Sequence, residues 1–145
     1  MRNERSKKAV YPVIFTHAND EDVILVYVPD MDISTQGYSM SEAIEMARDA
    51  IGLKGVVLEE RGEEIPTPTD ADKVDISKGA FVDEGKSILS FVDVDFTAAK
   101  KISENKMVRT NVTIPAWLKK EADREKINIS KTLQEALNDK LKISN

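Results

Sequence analysis

The amino-acid sequence predicts an α+β fold in two parts, residues 1–96 and residues 106–145. Two runs rich in β-branched and aromatic residues lie close together near the N-terminus. A long apolar stripe with helical spacing follows a capping motif, and a short strand meets a proline before two further helical stripes. The first two features predict a helix packed on one face of an antiparallel sheet, which is a stable two-layer arrangement.

The first two strands are predicted as an antiparallel hairpin. "YPVIFT" at 11–16 and "VILVYV" at 23–28 are separated by the turn-forming sequence "HANDED". The polar sequence that follows residue 28 leaves room for a short third strand before the pattern changes.

A long helix is predicted after this hairpin. Ser39 precedes Glu42 by three residues, which is the spacing of a capping box. The apolar stripe that follows comprises Met40, Ala43, Ile44, Ala47, Ala50 and Ile51. This periodicity predicts a helix to about Glu60, with Gly62 as its stop signal.

A last strand of the first part is predicted over 87–96, beyond a long connection rich in proline and polar residues. Alternation assigns one set of side chains to the core and Asp93 and Asp95 to solvent. The predicted core set is Ile88, Val92, Val94 and Phe96. The polar sequence "TAAKKISEN" at 97–105 is interpreted as a linker between the two parts, and as a candidate site of proteolysis.

The second part begins with a strand over 108–114 in which two kinds of side chain alternate. Arg109, Asn111 and Thr113 form its polar side. Pro115 ends the strand and suits the first turn of a helix, and Ser130 is predicted to cap a second helix. The apolar positions predicted to form the core of this part are Val112, Ile114, Trp117, Leu118, Leu133 and Leu137.

Strand, helix and helix in about 40 residues cannot bury their own apolar surfaces, so this part needs a second copy. Two copies that pair their strands form a ribbon that fits the major groove of DNA. Arg109 would then bond guanine, Asn111 adenine, and Thr113 a base edge or a thymine methyl. The residues predicted to hold backbone phosphates are Lys106, Ser130 and Lys131.

Residues 107–142 resemble a ribbon-helix-helix domain, the dimeric fold of the Arc and MetJ repressors. The resemblance is carried by the Ile114-Pro115 join and by the short loop before Ser130. That loop often has a glycine where this chain has Asn128, a residue that also tolerates left-handed backbone. An alternative is a helical hairpin whose strand serves dimerisation alone.

The first part resembles the N-terminal domain of HicB antitoxins. The matching motifs are Pro29-Asp30, Gln36-Gly37, the helix-opening sequence at 39–43 and the "G-x-x-I-P-x-P" sequence at 62–68. A cysteine often found between the first two motifs is absent. The resemblance implies a partial, inactive ribonuclease H fold. It also implies binding to HicA, a small basic toxin with a double-stranded-RNA-binding-like fold that cleaves messenger RNA.

The distribution of charge is consistent with such partners. The net charge of −5 combines +3 over 1–8, −12 over 9–105 and +4 over 106–145. An acidic middle suits a basic toxin and a basic end suits operator DNA, although unevenly spread surface charge is the simpler alternative. The residues predicted to contact the toxin are Asp20, Glu21, Asp22, Asp30 and Asp32.

The composition argues against several other functions. The chain has no cysteine and one histidine, His17, so thiolate zinc sites and cysteine nucleophiles are excluded. No apolar run approaches the roughly 20 residues that a membrane span requires, and no secretory signal is recognisable, so we expect a cytoplasmic protein. We expect no metal and no cofactor.

The sequence therefore predicts a homodimeric antitoxin, not an enzyme, that neutralises a HicA-type toxin and represses its own operon. A higher assembly with the toxin is a further expectation. Two alternatives stay open. The carboxylates of Asp30, Asp32, Asp93 and Asp95 could hold two divalent metals for phosphodiester cleavage. The chain could instead be a repressor whose first part encloses a small ligand.

Overall fold

The computed structural model describes residues 7–142, which form two compact units, with the boundary along the chain between Lys106 and Met107. The N-terminal unit contains strands β1 Lys8–Ala18, β2 Ile24–Val28, β3 Ile33–Gly37 and β4 Gly85–Asp95, and helices α1 Met40–Glu60 and α2 Phe96–Glu104. The C-terminal unit contains helices α3 Ala116–Arg124 and α4 Ile129–Leu141. Four single 3₁₀ turns lie in the connections, at Pro29–Met31, Ala71–Lys73, Ile76–Lys78 and Val82–Glu84.

The four strands form one antiparallel sheet in the order β3-β2-β1-β4. β1 is central to it, because Ile14 lies opposite Tyr27 of β2 and opposite Leu89 of β4. The hairpin predicted from the sequence is confirmed, and β3 is the short third strand that the polar sequence left room for.

One face of the sheet packs against α1, and this is where the main core lies. The buried residues of that face include Tyr11, Val13, Phe15, Ile24, Val26, Val28, Val92 and Val94. From α1 the core receives Ala43, Ala47 and Ile51. On the opposite face of β1, Ile14 is also buried, and a side chain added at Gly79 in the long connection would press on it. β1 is therefore covered on both faces, so its sequence does not alternate.

Helix α1 begins and ends where the sequence predicted. The Oγ atom of Ser39 accepts a hydrogen bond from the Glu42 amide at 3.1 Å. Gly37 lies so close to the start of α1 that a Cβ there would collide with the Ala43 backbone, which explains the glycine. At the other end Gly62 adopts a φ of +71°, the left-handed conformation that ends a helix.

The segment 97–105 was predicted as a linker, but residues 97–104 of it lie in helix α2 and Asn105 caps that helix. Phe96 is the first residue of the helix rather than the last of a strand. The carboxylate of Asp95 caps the helix by accepting from the amides of Thr97 and Ala98. α2 packs on α1 where Gly55 leaves space for the Phe96 ring. The helix was missed because it is polar and because its one large buried anchor, Phe96, had been assigned to the strand.

The predicted inward face of β4 is correct for Val92 and Val94, which are buried. Ile88 lies opposite Phe15 and so on the same face, yet it is 42% exposed. The buried residues of α1 belong to the same core as Val92 and Val94, near the C-terminal end of β4. The apolar side chain of Ile88, nearer the start of β4, is therefore left partly in contact with solvent.

The C-terminal unit keeps its two predicted helices but not the predicted details of the loop between them. Asn128, not Ser130, caps α4, because its Oδ1 atom accepts from the Lys131 amide at 3.1 Å. The left-handed residue of the loop is Lys126, with a φ of +56°, whereas Asn128 has ordinary backbone angles. Residues 106–115 form no regular element within the described single chain.

The packing of Phe96 on Gly55 predicts an unusual response to Gly55→Ala. Helix propensity alone would make alanine more stabilising by about 1 kcal/mol. Since the added Cβ would collide with the Phe96 ring, we expect instead a loss of roughly 1 to 3 kcal/mol in the free energy of unfolding, measured with urea. In a Phe96→Leu background the same substitution should cost less; an equal cost in both backgrounds would contradict this contact.

Candidate interaction surfaces

The polar residues predicted to read DNA bases share one segment of the C-terminal unit. Arg109, Asn111 and Thr113 are all exposed. The segment contains no strand within the described chain, because a strand needs a partner to which it can hydrogen-bond. Lys106, which closes the N-terminal unit, is likewise exposed, and Lys106 and Arg109 are both cationic.

The first turn of α4 carries the other two predicted phosphate contacts. Ser130 and Lys131 are exposed. The Lys131 amide is already bonded to Asn128, so it is less available to a phosphate than the sequence suggested. The neighbouring amides of that turn and the Lys131 side chain remain the groups that could meet an anion.

The predicted dimer core of the C-terminal unit is largely open to solvent in the single chain. No residue of α3 or α4 is buried, and Trp117 is 66% exposed. The other members of that core, Val112, Ile114, Leu118, Leu133 and Leu137, are half-buried or exposed. Burial of apolar side chains of this size against a partner would be favourable by roughly 1.5 to 3 kcal/mol for each side chain fully buried.

The residues predicted to contact the toxin do not form one cluster. Asp20, Glu21 and Asp22 lie in the turn before β2, whereas Asp30 and Asp32 lie in the turn after it. A five-residue strand spans roughly 17 Å, so the two groups occupy opposite ends of the sheet. The sequence shows both as acidic loops and does not show the distance between them.

Asp30 and Asp32 are also engaged in bonds that hold the fold. The Asp30 carboxylate accepts from the amide of Thr69 at 3.1 Å and from its hydroxyl. Asp32 accepts from the Tyr27 hydroxyl, and this hydrogen bond raises the pKa of Tyr27. Both carboxylates therefore have structural roles.

The bond from Asp30 is one of several that tie residues 62–70 to the sheet, and we call these residues the strap. The buried Tyr11 donates its hydroxyl proton to the Pro66 carbonyl at 2.7 Å, and Ile65 packs against the core. Burial, together with the nearby Asp30 charge, raises the pKa of Tyr11. Asp30 of the "Pro-Asp" motif thus binds Thr69, the residue directly after the "G-x-x-I-P-x-P" motif, and Pro66 within that motif binds Tyr11.

The other acidic group is larger than the sequence indicated. The amide of Asn19 donates to the carbonyl of Glu84 at 3.0 Å, which places the β1–β2 turn beside the Val82–Glu84 turn. We name the resulting surface the acidic end. Its members, all exposed, are Asp20, Glu21, Asp22, Asp83 and Glu84. Sixty residues of sequence separate its two parts, so only the fold brings them together.

The four carboxylates considered as metal ligands each hold another part of the fold. Asp93 binds Arg48 at 2.8 Å, which lowers the pKa of the Asp93 carboxyl, and Asp95 caps α2. Asp30 and Asp32 bind Thr69 and Tyr27, as described above. Among residues 7–142, no group of three or more acidic or histidine side chains is placed to hold a metal ion.

A groove of about 550 Å³ lies between α1, α2 and the end of β4. Its lining includes Gly52, Val94 and Ala99, but its apolar rim residues Leu53 and Ile102 are 61% and 74% exposed. A ligand-sensing repressor would need an enclosed pocket, and this groove is open. None of the helices in the described part of the chain is long and apolar enough to cross a membrane.

Comparison with known proteins places the chain in a family. A family model described as "HicB_like antitoxin of bacterial toxin-antitoxin system" matches residues 11–139, which is most of the chain. The chain belongs to the HicB-like antitoxins. Members of this family are regulatory components of toxin–antitoxin systems and not enzymes. The predicted family and the predicted absence of enzymatic function are thereby confirmed.

Two solved structures were compared with this HicB-like chain. A chain of a toxin–antitoxin complex from Streptococcus pneumoniae is 28% identical, with a TM-score of 0.58, 92% of this chain covered and 99% of that one. The antitoxin HicB of Burkholderia pseudomallei is 24% identical, with a TM-score of 0.48 and coverage of 92% and 98%. A search of curated proteins found no match.

The structural role of Asp30 predicts the effect of removing its carboxylate. Asp30→Ala should lower the free energy of unfolding by about 1 kcal/mol, because a charge-assisted bond is lost from a partly exposed site. It should also speed hydrogen exchange at the Thr69 amide. The matched control Asp20→Ala, in a solvated turn, should change neither; equal effects of both would refute the structural assignment.

Proposed function

We propose that this protein is an antitoxin that binds a small basic HicA-type toxin through its N-terminal unit and represses its own operon through a dimeric C-terminal unit. The observation that carries the proposal is the exposed surface of residues 107–142. The chain belongs to an antitoxin family, and no residue of the two helices in this unit is buried. The segment before them exposes cationic and hydrogen-bonding side chains.

Dimerisation through the C-terminal unit follows from its exposed apolar surface. Two copies that pair residues 108–114 would satisfy the backbone hydrogen bonds of both segments. The same pairing would cover Trp117, Leu133 and Leu137 with the helices of the other copy. This is the ribbon-helix-helix arrangement. We also propose that the fold of the N-terminal unit is a partial version of the ribonuclease H fold.

Operator binding follows from the polar side of that ribbon. Once the apolar side of the segment faces the helices, Arg109, Asn111 and Thr113 point away from the protein. A two-stranded ribbon fits the major groove, where these three side chains have base partners. Ser130 and Lys131, at the start of α4, would meet the flanking phosphates, and Lys106 would add a further cationic contact.

Toxin binding is assigned to the acidic end of the N-terminal unit. Its five carboxylates are exposed, whereas Asp30 and Asp32 are committed to the strap and to Tyr27. A concentrated negative surface speeds association with a basic protein and selects against acidic ones. Likeness to a chain of a solved toxin–antitoxin complex supports a protein partner of this kind.

The competing function is a repressor with a ligand-sensing N-terminal unit and no toxin. The openness of the groove beside α2 weighs against it. Co-expression with the reading frame encoded next to this chain separates the two. Rescue from a toxic neighbour, with co-purification of both proteins, is expected; a harmless neighbour that forms no complex would leave the repressor.

Substitutions in the ribbon should impair DNA binding alone. Arg109→Ala or Asn111→Ala should weaken specific binding by roughly 1 to 3 kcal/mol for each half-site contact, measured by titration of operator DNA at constant salt. Toxin neutralisation should be unchanged. Lys86→Ala, which removes a cation from the N-terminal unit, is the control. Loss of neutralisation with intact DNA binding would invert the assignment of the two units.

Charge reversal at the acidic end should impair toxin binding alone. Asp20→Lys combined with Asp22→Lys should weaken the complex at least tenfold, which corresponds to about 1.4 kcal/mol, chiefly through slower association. Glu63→Lys combined with Glu64→Lys makes the same change of charge in the strap. If both pairs weaken the complex equally, the toxin responds to overall charge and the acidic end is not its site.

A further inference from the structure

Strand β4 leaves one long side of the sheet open. It has 11 residues and pairs with β1 alone in the described chain. Pro12 lies opposite Phe91 and has no amide proton, so these two residues cannot exchange the pair of bonds of an antiparallel ladder. Since bonded pairs alternate along the ladder, the backbone groups of residues 87, 89, 91 and 93 of β4 turn towards the open side.

The side chain of Arg48 closes one end of that side. Its Nε atom donates to the Asp93 carbonyl at 3.0 Å, and a terminal nitrogen donates to the Asp93 carboxylate at 2.8 Å. This agrees with the outward direction of the Asp93 carbonyl. A side chain that occupies edge groups prevents strand pairing at that position. The charged Lys86 lies at the other end, so the open edge is limited to residues 87–92.

The open edge is apolar on both faces of the sheet. Ile88 is exposed on the face that carries α1, and Phe91 is 57% exposed on the opposite face, where it lies beside Val10 and Pro12 of β1. Residues 87–92 include no charged side chain. An exposed, uncharged edge with unpaired backbone groups is a template for another strand.

We infer that the open edge pairs with the open edge of a second copy, antiparallel and centred on Ser90. The sequence Ile-Leu-Ser-Phe-Val at 88–92 has the same pattern in both directions. About a two-fold axis at Ser90, Leu89 of each copy faces Phe91 of the other, and Ile88 faces Val92. Such an interface is self-complementary, as two-fold symmetry requires.

The residues around the edge favour a second copy over a basic protein. The cations of a basic partner would find no carboxylate to pair with within residues 87–92, whereas the two-fold pairing sets apolar residues against apolar ones. It also sets Lys86 against Val94 and Asp93 against Ser87, so no like charges face each other. The net charge of −12 over 9–105 makes two copies repel each other at longer range. Because salt screens this repulsion, the pairing of the two edges should strengthen as the salt concentration rises. DNA binding responds to salt in the opposite sense.

This pairing is separate from dimerisation through the C-terminal unit and can be tested independently. The chain has no cysteine, so Ser90→Cys gives one thiol per copy. Ser90 would face Ser90 as a non-bonded pair with Cα atoms about 4.5 Å apart, a separation that a disulfide can span. The control is Ser34→Cys on β3, the other edge of the sheet. Both variants are made in the full chain, with and without Leu133→Asp, which is designed to abolish the C-terminal dimer.

We expect mild oxidation to link the Ser90→Cys chain at least tenfold faster than the Ser34→Cys chain, in both backgrounds, and faster at higher salt. Adding Phe91→Lys to Ser90→Cys should remove the difference while circular dichroism remains that of a folded chain. Equal rates at the two positions, or a link that disappears with Leu133→Asp, would overturn the pairing. Either result would refute the edge pairing alone, because the proposals on DNA binding and toxin neutralisation do not depend on it.

Discussion

The burial of β1 on both faces is the constraint on which the N-terminal unit depends. One face carries Tyr11, Val13 and Phe15 under α1, and the other carries the buried Ile14. A strand in this position cannot expose its backbone, so it must have a strand on each side. β2 and β4 supply them, although about 60 residues of sequence lie between these two neighbours.

The long connection between α1 and β4 is a consequence of that constraint. The chain must return from the end of α1 to the far side of β1, and its polar backbone would not be stable if it were left loose against the sheet. Tyr11 and Asp30 bind the strap at Pro66 and Thr69. Asp30 and Pro66, which belong to the motifs shared with HicB antitoxins, therefore both help to hold the fold.

The C-terminal unit shows the opposite balance. Its helices are capped and hydrogen-bonded, yet none of their side chains is buried. A unit of this size has little core of its own, so we expect it to be only marginally stable as a single copy. In the function proposed above, the folding of this unit would be coupled to its dimerisation.

The sequence by itself determined the parts that depend on local pattern. The hairpin, the limits of α1, the helices α3 and α4 and the family all followed from periodicity, caps and motifs between near neighbours. The tertiary structure decided what depends on residues far apart in sequence. Helix α2 is seated by Gly55 beneath Phe96, Asp30 is committed to Thr69, and Asn19 meets Glu84 to form the acidic end. The physical reason is that the role of a loop carboxylate, or the conformation of a polar segment, depends on the residues it contacts. When those residues are distant in sequence, local pattern does not reveal them.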